Sequence, residues 1–112
     1  MKIKTTDKEG VKIMHFSGNL DTQTSSEAEQ LFREILQIGA TRILVDFEEL
    51  DYISSAGLRV LLTTSKRLHG KGQLGICNAN EQVKEVFEMT GLANLVFKLY
   101  DTEGQALQEL SN

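Results

Sequence analysis

Residues 42–62 read RILVDFEELDYISSAGLRVLL, and the fold turns on them. Ile43, Leu44 and Val45 form a short continuous apolar run between turn signals, the pattern of a strand buried on both faces. Glu48, Glu49 and Asp51 then fall in a loop by this reading, where acids are ordinarily solvated surface. Ser54 and Ser55 follow, and either hydroxyl can cap the free amides at the start of a helix. Leu58, Leu61, Leu62 and Leu68 share one helical face, and Gly70 ends the helix. Gly57 sits in the first turn, where glycine costs about 1 kcal/mol against alanine. Its presence there implies a close approach to the backbone.

Working outward, Met1 to Thr6 reads as a strand, Asp7 to Gly10 as a turn, and VKIMHF (residues 11–16) as a strand returning beside the first. TSSEAEQLFREILQIG (24–39) reads as a helix. Thr24 and Glu27 have capping-box spacing, Ala28, Leu31, Ile35 and Ile38 form its apolar face, and Gly39 stops it. QLGICNA (73–79) is a strand. The next helix is capped by Asn80, with Val83, Val86 and Phe87 inward and Gly91 at its end. LVFKLY (95–100) is a last strand, and a short helix capped by Asp101 closes the chain.

The order ββαβαβαβα predicts an α/β fold with a mixed, mostly parallel sheet, an antiparallel N-terminal strand pair and helices packed against it. At 112 residues with 40 % hydrophobic content, without proline or a linker-like stretch, the chain reads as a single domain over 1–112.

Composition narrows the function. Twelve basic against sixteen acidic residues leave a net charge of −4. The short cluster Lys66, Arg67, His69 and Lys71 suits a helix C-terminus better than a nucleic-acid footprint. No apolar run is long enough to span a bilayer, and no secretory signal follows the basic start, so membrane insertion is not expected and the expected location is the cytoplasm. The single cysteine, Cys77, excludes an internal disulfide. His15, His69 and Cys77 show no metal-ligand spacing, so neither a metal nor another cofactor is expected. GKGQLG (70–75) lacks the phosphate-loop pattern and precedes a strand. No G-x-S-x-G elbow is present, and no base is evident for a nucleophilic serine, so an enzyme using Ser55 is disfavoured. A serine at a helix start beyond a buried parallel strand is nonetheless exposed. A phosphate placed there would meet free amides and the positive end of the helix dipole.

GNLD (18–21), ILVDFEELDYISSAGLRVLL (43–62) and VFEMTGLANLV (86–96) together resemble the STAS-domain family, and more narrowly the bacterial anti-sigma factor antagonists. The resemblance covers nearly the whole chain. It implies a non-enzymatic switch: the unphosphorylated antagonist binds an anti-sigma factor that is also a serine kinase. Phosphorylation of one serine releases it, and a metal-dependent serine phosphatase restores binding. Aligned on Gly57 and Leu58, the acceptor falls on Ser55, with Ser54 as the alternative. The aspartate usual in the family before the acceptor is Ser54 here, and the glutamate of its Gly-Glu-Leu-Asp motif is Asn19. The partner surface implied comprises Asp21, Thr22, Ser54, Ser55, Ala56 and Gly57. The departure at Ser54 motivates a rival reading, a STAS adaptor of a lipid-transport or signalling complex that is never phosphorylated.

Overall fold

A computed structural model describes residues 1–91 and 97–111. Nine elements follow in order: β1 (Lys2–Lys8), β2 (Val11–Leu20), α1 (Ser25–Gln37), β3 (Arg42–Ile53), α2 (Ser55–Leu68), β4 (Gln73–Cys77), α3 (Glu81–Met89), β5 (Lys98–Tyr100) and α4 (Glu103–Leu110). They form one five-stranded sheet in the order β1-β2-β3-β4-β5. β1 and β2 are antiparallel, and the remaining pairs are parallel. The mixed α/β reading therefore holds. Leu95 and Val96, expected in the last strand, lie outside the described residues.

Each element follows from local chemistry. Glu9 and Gly10 both take positive φ (54° and 79°), the condition for the tight two-residue turn that closes an antiparallel hairpin. Every residue from Ile43 to Phe47 is buried, as a continuous apolar run requires. The two sides of the sheet are covered unequally. On one, Met14, Phe16, Val45, Phe47 and Ile76 meet Phe32 and Ile35 of α1, Leu61 of α2 and Phe87 of α3. Phe16 packs edge-on to Phe47 with centroids 5.5 Å apart. On the other, among the described residues, Val11, Ile13, Leu44 and Cys77 pack with Ala106, Leu107 and Leu110 of α4, and Tyr100 of β5 joins them.

Three local expectations are corrected. The acids Glu48, Glu49 and Asp51 are not in a loop, because β3 continues to Ile53 through two irregularities. Pairing steps from His15↔Asp46 to Ser17↔Glu49, and from Gly18↔Leu50 to Asn19↔Tyr52, so β3 carries an extra residue at each step. The buried Asp46 accepts the Glu48 amide at 3.0 Å within the first of these bulges. The helix caps also differ. Thr24 makes no side-chain cap bond, and α4 is capped by Thr102, which accepts the Gln105 amide, rather than by Asp101. In α1 the buried face is Ala28, Phe32 and Ile35, while Ile38 has left the helix at its C-cap and is exposed.

Candidate functional site

The end of β3 and the start of α2 are built around one carbonyl. Leu20 ends β2 directly beside Ile53. Its oxygen accepts the Ser54 amide at 2.9 Å, so the first residue beyond β3 is still tied to β2. Ser54 is extended (φ −98°, ψ 174°), and its hydroxyl accepts the Gly57 amide at 3.3 Å. Its carbonyl accepts the Leu58 amide at 3.0 Å. Ser54 is therefore the N-cap. The amides of Ser55 and Ala56 remain without a partner inside the helix, as geometry dictates for a first turn. Ser55 is exposed and Ala56 half-buried at that positive end.

Gly57 makes the close approach that its place in the first turn implied. It is buried, and a Cβ there would lie 2.8 Å from both Cγ and the carbonyl oxygen of Leu20 and 3.0 Å from Cγ1 of Ile53. The close backbone approach is intramolecular. Gly57 lets α2 start against the end of β2.

The β2–α1 connection forms the second wall. Asp21 Oδ1 accepts the amides of Gln23 and Thr24 at 3.0 and 3.1 Å, and its carbonyl accepts the Ser25 amide at 2.8 Å. Thr24 Oγ1 donates to the Asn19 carbonyl at 2.8 Å. Asp21, not a capping box, organises the entry to α1. Its carboxylate is turned into its own turn, whereas Thr22 next to it is exposed. Because Leu20 is in register with Ile53, the β2–α1 connection and the start of α2 leave the sheet at the same end. Asn80 fixes the far side: its Nδ2 donates to the carbonyls of Leu50 and Asp51 while its Oδ1 caps Val83 of α3.

Sequence reasoning missed Tyr52. It is 51 % exposed and paired with Asn19 across the β2–β3 seam, two residues before the N-cap. The strand period carried the signal, since burial of Ile53 sends its neighbour outward. Neither described histidine can serve Ser55 as a base. His15 pairs with Asp46, seven strand residues before Ile53 and so roughly 23 Å away. His69 follows the far end of α2, roughly 21 Å along the helix.

No described helix is long and apolar enough to cross a membrane. The STAS domain family model matches residues 2–106. Among curated proteins, the chain is 37 % identical over 99 residues to BtrV of Bordetella bronchiseptica, a candidate anti-sigma factor antagonist, covering 85 % of this chain and 83 % of that one. It is 31 % identical over 112 residues to the anti-sigma F factor antagonist of Paenibacillus polymyxa, covering 98 % and 95 %. Among solved structures, the unphosphorylated form of the anti-sigma factor antagonist SpoIIAA superposes with a TM-score of 0.75 at 20 % identity, covering 96 % of each chain. SpoIIAA of Bacillus has also been solved phosphorylated. These relatives are regulatory binding proteins rather than enzymes. With a family match over nearly its whole length and relatives above 30 % identity along most of it, the chain belongs to the STAS-domain family.

Proposed function

We propose that the chain is a cytoplasmic anti-sigma factor antagonist whose binding to an anti-sigma factor serine kinase is switched off by phosphorylation of Ser55 and restored by a metal-dependent serine phosphatase. The observation that carries this reading is the division of labour between the two serines. The Ser54 hydroxyl is engaged as the N-cap, while Ser55, one residue on, is exposed where a helix offers free amides. A phosphate on Ser55 adds about −1.5 to −2 charges at a point the fold tolerates, because the helix dipole and amides receive it. The same charge buried against a partner is left largely unpaired, which is costly. A swing from 99 % bound to 99 % free requires about 5.5 kcal/mol of differential binding, the order that desolvating a dianion supplies.

The family's aspartate before the acceptor does not need to be present for this geometry. Aspartate and serine are comparable N-caps, so Ser54 keeps the helix start and changes the local charge by one. Partner contacts are assigned to Thr22, Ser55 and Ala56, with Asp21 and Ser54 holding them in place and Gly57 inside the protein. Incubation with the cognate kinase and ATP, read by intact mass and peptide mass spectrometry, should give one phosphate on Ser55. Phosphate on Ser54 alone would reassign the acceptor, and no phosphate at all would favour the unphosphorylated adaptor.

A further inference from the structure

The sheet assembles on its α4 side a group of side chains that the switch does not use. His15 of β2, Asp46 of β3 and Cys77 of β4 lie in register on neighbouring strands. Glu103, in the first turn of α4, comes down over this rung. His15, Asp46 and Glu103 each offer one ligand atom, and the three atoms lie within 4.8 Å of one another. In sequence they stand 31 and 57 residues apart, which hid the spacing.

We propose that His15 Nδ1, Asp46 Oδ2 and a Glu103 carboxylate oxygen form a three-ligand site for a first-row transition cation of the Zn2+ class. The distances favour this. His15 Nδ1 stands 3.4 Å from Asp46 Oδ2, long for a charge-assisted hydrogen bond of about 2.7–2.9 Å. It matches the edge of a tetrahedron whose bonds to the metal are about 2.0–2.1 Å, roughly 3.3–3.4 Å. Supporting bonds aim the ligands. Asp46 Oδ1 is occupied by the Glu48 amide at 3.0 Å and Asn78 Nδ2 at 3.1 Å, leaving Oδ2 toward His15. The far ring nitrogen of His15, Nε2, faces Thr6 Oγ1 at 3.4 Å. Such outer partners orient metal-binding histidines and carboxylates.

Charge points the same way. Asp46 is 3 % exposed and Glu103 half-buried beside it. Two carboxylates brought together in a poorly solvated place need a cation or a shared proton between them. A divalent cation with neutral His15 leaves the group with no net charge. An imidazole in the set selects a transition cation over Mg2+ or Ca2+. A groove of about 480 Å³ lined by Lys2, Lys4, Thr6, Ser17 and Glu48 reaches two of the three ligands, His15 and Asp46. Bound metal would fasten the start of α4 to the sheet.

The test uses the tag-free chain stripped of metal, its His15→Gln and Glu103→Gln variants, and Zn2+ and Co2+ as probes. Wild type should bind one Zn2+ per chain by calorimetry and gain about 10 °C in thermal midpoint at a hundredfold excess over Kd. Co2+ should give visible ligand-field absorption. Each variant, folded by circular dichroism, should lose more than the roughly 10–100-fold in affinity that removing a mere supporting group costs. Absence of stabilisation in wild type overturns the proposal, since a shared proton then holds the trio. Equal stabilisation of all three chains also overturns it, since the metal then binds elsewhere. Neither result bears on phosphorylation of Ser55.

Discussion

The carbonyl oxygen of Leu20 accepts the amide of Ser54 at 2.9 Å, and the same oxygen stands 2.8 Å from where a Cβ on Gly57 would lie. One backbone atom at the end of β2 therefore sets both where β3 stops and how closely α2 begins. Placement of Ser55 is a consequence of that contact, so Ser55 is positioned by the core rather than by a mobile loop.

Gly57→Ala tests this contact. In an ordinary helix interior the change gains about 1 kcal/mol. Here the obstacle is backbone, which cannot swing aside, and overpacking of this kind costs about 1–3 kcal/mol. Urea denaturation should show net destabilisation. A more stable variant would mean that α2 is free to move off β2.

Ser54 and Ser55 should separate by stability. Ser54→Ala removes the cap bond to Gly57 and should cost about 1 kcal/mol, while Ser54→Asp should stay within a few tenths of wild type. Ser55→Ala should change stability by less than about 0.5 kcal/mol, because its exposed side chain makes no cap. Equal losses at the two positions would remove the distinction on which the acceptor assignment rests.

Much of this site is legible in the sequence. The buried run Ile43 to Val45 and the helical leucines after it give the strand and the helix, and the two serines between them mark the joint. What the sequence could not supply was the partner of each group. Capping-box spacing pointed to Thr24, but its hydroxyl donates to the Asn19 carbonyl, and Asp21 instead orders the turn by accepting the amides of Gln23 and Thr24; spacing alone does not tell the two apart. Glycine at 57 signalled a close approach without saying that Leu20 makes it. The continuous apolar run stopped at Val45, and the acids at 48, 49 and 51 after it read as a loop. Two bulges absorb them, and Tyr52 was lost from view with that stretch. The His15–Asp46–Glu103 group arises only from strand register and the return of α4.

Tyr52 should act as an anchor for the partner. Exposed aromatics at the centre of an interface cost about 2 kcal/mol or more when truncated. Tyr52→Ala should weaken binding to the anti-sigma factor by roughly 30-fold at unchanged thermal stability. Full affinity in the variant would place the interface away from the β2–β3 seam.

Tyr100 provides a pH signature on the α4 side. Burial first, and then its hydrogen bond to Glu109 at 3.0 Å and the charge of that carboxylate, push the phenol from 10.0 up to about 12. A raised folded-state value means that the group's contribution is complete below about pH 10 and is lost as pH rises through about 12. Absorbance titration should show Tyr100 ionising late, and Glu109→Gln should bring it earlier. An unchanged curve would show that Glu109 does not reach the phenol.

In the proposed switch, charge at Ser55 decides whether the partner binds. The most direct measurement is the calorimetric affinity of the anti-sigma factor for wild type, Ser55→Ala and Ser55→Asp. Wild type and Ser55→Ala should bind tightly, and Ser55→Asp should lose at least tenfold, about 1.4 kcal/mol, with the folded state intact. Binding by Ser55→Asp as tight as by wild type would contradict it.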